Sequence, residues 1–234
     1  MNREKDMATP SVEDYIKAVY KASCDAADVT TQDIAERVGV SAPAVSKMLK
    51  RLVELRLASH TPYHGVQLTE AGEKMALEII RHHRLLERYL VEALGYSWDE
   101  VHQEAERLEH HISEAFEDKI DAMLGYPTSC PHGDPIPTRE GKIETPPNHL
   151  LSDQSDPAQL RIYRVNDSDS ELLRHLKKLG ILPGTAIEFL EQEPFGGAYL
   201  LRLGGEIVRV APKAAQQIYV REAVSTPSEA EPNL

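Results

Sequence analysis

Cysteine is scarce in this 234-residue chain: Cys24 and Cys130 are the only two, far apart and in no metal-type pairing. That excludes a disulfide-stapled scaffold and fits a reducing compartment. Long apolar runs are missing as well. The apolar fraction is an ordinary 41%, and no stretch approaches the roughly 18 consecutive apolar residues that a membrane span needs. The opening MNREKDMATP is charged and leads into a helix, with no secretory signal. A cytoplasmic chain of one large or two to three small domains is the expectation. Positive charge is in deficit too, with 26 Lys and Arg against 38 Asp and Glu and a net charge of -12. Nucleic-acid affinity comes from cations that neutralise phosphates, so these totals argue against such a partner. The local arrangement does not: Lys47, Lys50, Arg51 and Arg56 face a single acid, Glu54, whereas residues 97 to 121 are dominated by acids and histidine.

The N-terminal part has the punctuation of a helix-turn-helix. Ser11 opens a first helix, with Asp14 as a capping-box-like partner and an apolar stripe of Tyr15, Ile16, Val19 and Tyr20. Thr31 begins TQDIAERV, and Gly39 ends it. Ser41 caps the next helix, which carries Pro43 in its first turn and is expected to bury Val45, Met48, Leu49, Leu52 and Val53. Helix, three-residue turn GVS, helix is the spacing of a DNA-binding motif. Around Leu57, TPYHG and VQL read as two strands and the turn of a wing. Side chains Thr31, Ser41, Ala42, Pro43, Ala44, Ser46 and Lys47 are then the candidates for the major groove, with Lys47, Lys50 and Arg51 placed for phosphates. The small apolar residues favour contact with thymine methyl groups over bidentate guanine reading. The plain alternative is a trihelical unit that only packs.

Thr69 caps a long helix expected from about Glu73 to Leu94 and ended by Gly95; Ser97 caps another, expected from Trp98 to about Leu124. The second carries His102, Glu106, Glu109 and His110 in VHQEAERLEHHISEAF. At about 100° per residue these four fall within roughly 100° of one helix face. His83 and Glu87 repeat the i, i+4 spacing upstream. A charged stripe is usually a solvated face laced by i, i+4 ion pairs. Here only Arg107 interrupts Glu104, Glu106, Glu109 and three histidines, and crowded like charges call for a cation. The Gly95 turn brings Glu87 and His102 to similar heights, so His83, Glu87 and His102 suit one site and Glu106, Glu109 and His110 a second. Oxygen donors with one or two imidazoles suit Mn2+ or Fe2+. Cys130 and His132, in a Pro-rich loop without a second pair, read as structural. From Arg161 onward, five strand runs and one helix (SELLRHLKKLG) suggest a small closed barrel.

Six segments, SVEDYIKAVY, IAERVGVSAPAVSKMLKRL, LTEAG, HHRLLERYL, VHQEAERLEHHIS and CPHGDPIP, resemble signatures of the iron- and manganese-dependent repressors, the diphtheria toxin repressor family and its manganese transport regulator branch. The resemblance implies a mainly α fold with β. It comprises a winged helix-turn-helix DNA-binding domain (1-75), a helical metal-binding and dimerisation domain (76-145), a linker (146-160), an SH3-like, FeoA-like domain (161-224) and a tail (225-234). It implies a homodimer that binds palindromic operator DNA and represses metal-uptake genes when Mn2+, or alternatively Fe2+, is plentiful, with about two ions per subunit. The primary site would be Glu106, Glu109 and His110 completed by Asp14, whose bland role is helix capping. The ancillary site would be His83, Glu87 and His102, with Asp169 and Glu171 as loosely aligned further acids, whose alternative role is the N-terminal charge that complements a helix dipole. Iron-type members carry sulfur ligands where this chain has Asp14 and Glu106; manganese-type members carry an acid where it has Lys17. A metal-independent winged-helix regulator of an organic ligand is the main alternative. A di-metal carboxylate oxidase would need Glu-x-x-His pairs, which the chain lacks.

Overall fold

The computed structural model describes residues 10–25, 28–61 and 65–223. The chain divides into two compact units: Met1–Tyr89, Gln103–Thr128 and Ile136–Glu144 form the first, and Leu90–His102, Ser129–Pro135 and Thr145–Leu234 the second. The wing-tip residues Pro62, Tyr63 and His64, the side chain of Ser11 and the tail 225–234 lie outside the described residues.

In the first unit α1 (Pro10–Asp25), α2 (Thr31–Val38) and α3 (Ala42–Glu54) are followed by the antiparallel strands β1 (Ala58–Thr61) and β2 (Gly65–Leu68). Thr30 and Asp33 form a reciprocal capping box at the start of α2, which satisfies two backbone donors that the first turn leaves over. Gly39 ends α2 at a φ of 73°, a left-handed position that glycine takes without steric cost. Ser41 stands at the N-cap of α3, yet its hydroxyl makes no capping hydrogen bond, contrary to expectation. Val29 bridges Gly65 beside the wing, where a Cβ on Gly65 would meet the Val29 carbonyl oxygen at 2.1 Å. Ile16, Val19, Ile34, Val45, Leu49 and Leu52 join the three helices in one core. Val53, expected inside, is 40% exposed because it lies roughly 80° around α3 from Val45, at the edge of the buried stripe.

Helix α4 (Glu70–Leu94) starts directly after Thr69, whose hydroxyl accepts from the Gly72 amide at 3.2 Å. The expected single helix from Trp98 to Leu124 is instead two, α5 (Val101–Leu108) and α6 (Glu114–Met123). Ser113 caps α6 by accepting from the Phe116 amide, and a hydrogen-bonded turn at Glu109 to His111 separates the two.

The second unit holds a six-stranded antiparallel sheet ordered β3-β8-β4-β5-β6-β7. Its strands are β3 (His149–Leu150), β4 (Ala158–Val165), β5 (Ala186–Gln192), β6 (Tyr199–Leu203), β7 (Glu206–Val210) and β8 (Ile218–Glu222), with α7 (Ser170–Lys178) after β4 and the short α8 (Pro212–Ala215) before β8. The stretch expected as linker, 146–160, contains β3, a 3-10 turn at Leu151–Asp153 and the start of β4. With β3 and β7 at its ends, the sheet does not close by hydrogen bonding among the described residues. Register breaks at Ile162/Arg164 and Phe189/Glu191 mark bulges that bend it. Alternation along the strands sends Leu160, Ile162, Phe189, Leu201 and Val220 into a core shared with Leu173 and Leu176 of α7 and with Trp98.

Candidate metal centre

Asp14 leaves the middle of α1, while Glu109 and His110 come from the turn just beyond α5. On an unbroken helix neighbours point about 100° apart; leaving the helix releases that constraint. His110 Nε2 lies 2.9 Å from Asp14 Oδ1 and 3.4 Å from Glu109 Oε1. One donor atom from each of Asp14, Glu109 and His110 falls within 4.8 Å of the others, and His83, Glu106 and Glu109 meet the same limit. Glu109, 1% exposed, belongs to both sets. His83 places Nδ1 at 2.5 Å from Glu109 and 3.4 Å from Glu106, and Nε2 at 3.1 Å from Glu87.

Lys17, one turn after Asp14 on α1, enters the same cluster. Its ammonium donates to both oxygens of Glu106 at 2.8 Å and to Glu109 Oε1 at 2.5 Å. Burial alone would drain its charge, but Glu109 and Glu106 outweigh that and raise its pKa. For Glu106 burial pushes upward and the Lys17 and His83 charges push harder downward, so its carboxyl titrates below the usual value. For His83 burial is likewise overcome, by Glu87 and Glu109, and its pKa rises. Hydrogen bonds to Asp14 and then Glu13 lift His110 to about 10. Without metal His110 is therefore an imidazolium, donating Nδ1–H to Glu13 at 2.5 Å and Nε2–H to Asp14. A ligating histidine must first release the proton of the coordinating nitrogen. The donor chemistry fits a divalent ion that prefers oxygen and imidazole, with Nε2 of His110 facing the carboxylates and Nδ1 oriented by Glu13.

Glu13 and the packing beneath Glu109 were not visible in the sequence. His82 donates Nδ1–H to the Glu109 carbonyl at 3.2 Å and reaches Glu117 at 3.1 Å; Glu117 also pairs with Arg81, which contacts Asp121 at 2.5 Å and the Pro137 carbonyl at 2.8 Å.

Of the expected ancillary donors, His83 and Glu87 lie in the first unit and His102 in the second. Within the second unit, His102 Nδ1 stands 3.1 Å from Asp167 Oδ2. Of the two further acids loosely expected there, Asp169 caps α7, accepting from the Glu171 and Leu172 amides, and Glu171 sits in its first turn. Neither belongs to a donor set among the described residues. His132 donates Nε2–H to the Trp98 carbonyl at 2.8 Å and packs on its ring, and Cys130 is buried.

The helix-turn-helix presents Ser41, Pro43, Ala44, Ser46, Lys47 and Lys50 exposed on α3, with Ala42, Arg51 and Thr31 half-buried. Ser46 donates to the Ala42 carbonyl at 3.0 Å, which occupies its only proton.

Comparison with known proteins follows this layout. Residues 7–66 match the iron dependent repressor N-terminal DNA binding domain, 69–138 its metal binding and dimerisation domain, and 149–222 the FeoA domain. The iron-dependent repressor IdeR of Mycobacterium tuberculosis is 30% identical over 227 residues, covering 91% of this chain and 97% of that protein. The transcriptional regulator MntR of Salmonella typhimurium is 36% identical over 115 residues, 49% of this chain and 71% of its own. Among solved structures, a manganese-dependent transcriptional repressor in complex with manganese superposes with a TM-score of 0.85 at 38% identity, over 91% of this chain and 100% of that one. The chain belongs to the iron-dependent repressor family of metal-dependent, DNA-binding transcriptional regulators.

Proposed function

We propose that this chain is a cytoplasmic, non-enzymatic repressor whose dimer grips a palindromic operator when Mn2+ is plentiful, with Fe2+ as the alternative ion, and so holds back metal-uptake genes. One observation carries the proposal: Asp14 meets Glu109 and His110 across about 95 positions of sequence. Asp14 stands on α1, whose Val12, Ile16 and Val19 share a core with Val45, Leu49 and Leu52 of α3. Fixing Asp14 against Glu109 and His110 therefore fixes the helix that reads DNA. A bound divalent ion would take the place of the proton on His110 Nε2 and tie the imidazole to the two carboxylates. No described helix is long and apolar enough to cross a membrane.

Dimerisation is assigned to the helical part, where Phe116, Met123 and Tyr126 expose large apolar side chains. A two-fold dimer presents two α3 helices, which is why a palindromic operator is expected. The family resemblance gives a second ion to His83, Glu87 and His102; within the second unit Asp167 stands beside His102.

The test is binding of labelled double-stranded DNA, selected by the purified protein from a random pool, with Mn2+, Fe2+, Zn2+ or a chelator. Mn2+ should tighten binding by about 5–150-fold, the usual size of an allosteric coupling. His110→Ala should erase that gain with the far-UV dichroism unchanged. Equal affinity in chelator and Mn2+ would overturn the proposal and favour a metal-independent regulator.

A further inference from the structure

We infer that Lys17 is a tethered cation standing where a second metal ion would sit, so that one divalent ion is held, at Asp14, Glu109 and His110, and not a carboxylate-bridged pair. The inference rests on the proposal that this cluster binds a divalent ion at all.

Two donor sets, Asp14–Glu109–His110 and His83–Glu106–Glu109, share the carboxylate of Glu109. Two sets joined by one carboxylate are the layout of a two-metal centre, in which the ions lie about 3.5–4 Å apart. The second compartment is already filled by protein. Lys17 Nζ lies 2.8 Å from each oxygen of Glu106 and 2.5 Å from Glu109 Oε1, so its three protons are matched by three acceptor oxygens. An ion on Glu106 would sit directly against the Lys17 ammonium, where burial leaves little water to screen their repulsion; Glu109 Oε1, which also faces His110 Nε2, has a second lone pair for an ion on that side. Expelling Lys17 is costly because the residue is only 6% exposed, and a buried ammonium stripped of its partners is strongly destabilising. The first compartment keeps Asp14, His110 and Glu109: the hydrogen bonds of Lys17 go to Glu106 and Glu109, whereas Asp14 pairs with His110. The ammonium thus does in the metal-free chain what a second ion does in a bridged pair: it holds Glu106 and Glu109 side by side despite their like charge.

The experiment uses the full chain, loaded with excess Mn2+ and desalted, and reads both ions per chain by elemental analysis and spin coupling by electron paramagnetic resonance. Wild type should show isolated manganese, because ions bound elsewhere add to the count without coupling to this one. Lys17→Glu, which exchanges the cation for a ligand, should gain one ion per chain and an exchange-coupled signal. Lys17→Gln, which removes the charge with little change of size, covers the case in which the charge reversal does not fold, and should gain the extra ion with weaker affinity. A coupled pair in wild type would overturn the inference, as would unchanged counts and uncoupled spectra in both variants. A wild-type protein that binds no manganese would instead sink the proposed function itself.

Discussion

Glu13 shows how a carboxylate outside the donor sets governs an imidazole inside one of them. Its contact with His110 Nδ1, together with the contact of Asp14 at Nε2, fixes the ring position and keeps both nitrogens protonated in the metal-free chain. Such outer partners of metal-ligating histidines typically change affinity by about 10–100-fold when removed. Glu13→Gln should accordingly weaken Mn2+ binding by about that factor in calorimetric titration, with little effect on the melting temperature in chelator; unchanged affinity would show that the ring is oriented by Asp14 alone. The candidates Glu106, Glu109 and His110 were legible because carboxylate and imidazole repeat at helical spacing in a lysine-poor stretch, whereas Asp14 was named only by the family resemblance. Glu13 was not, because nothing in its neighbourhood points to a partner 97 positions away. Lys17 was legible as a departure from the manganese-type pattern, but that its ammonium fills the cluster is a fact of three-dimensional proximity.

At the scale of elements, the break between α5 and α6 decides the site. No proline or glycine interrupts residues 101–123, so periodicity predicted one helix. Ser113 was the available stop signal, yet serine is also tolerated inside helices. Once Ser113 takes the N-cap, the turn before it turns Glu109 and His110 toward α1. Ser113→Ala should cost about 1 kcal/mol of stability, measured by denaturant midpoint in chelator. If the break is what positions the donors, Mn2+ should restore part of that loss by binding the folded form; a variant as stable as wild type would mean that tertiary packing, not the cap, ends the helix. The helix-turn-helix was easier to read because each end carries its own local chemistry, the Thr30–Asp33 box and left-handed Gly39. Asp169 was ambiguous for a related reason: an acid ahead of a helix serves equally as a cap or as a ligand until its neighbours are known, and here it caps α7.

Across the whole molecule the excess of acid is not spread evenly, and much of it is matched internally. Glu117 is one such group: burial pushes its pKa up, but hydrogen bonds from His82 and Arg81 win and hold it below 4.5. A folded value below the unfolded one means stability present in full above about pH 4.5 and lost as pH falls through the folded value. Glu117→Gln should therefore lower stability by about 1–3 kcal/mol at neutral pH, and the gap to wild type should close on acidification, as thermal melts in chelator from pH 7 to pH 3 will show. A gap independent of pH would assign the loss to packing and not to the charge. What the residue order determined by itself is what depends on near neighbours: apolar periods, helix caps, turn glycines and the supply of oxygen and imidazole donors. What only the tertiary structure decided is which distant groups share one small volume, namely Asp14, Lys17 and Glu13 with Glu106, Glu109 and His110, and His102 with Asp167. The reason is range: backbone preferences act over a turn or two of chain, whereas charge pairing and metal ligation act through space and are fixed only once the core has packed.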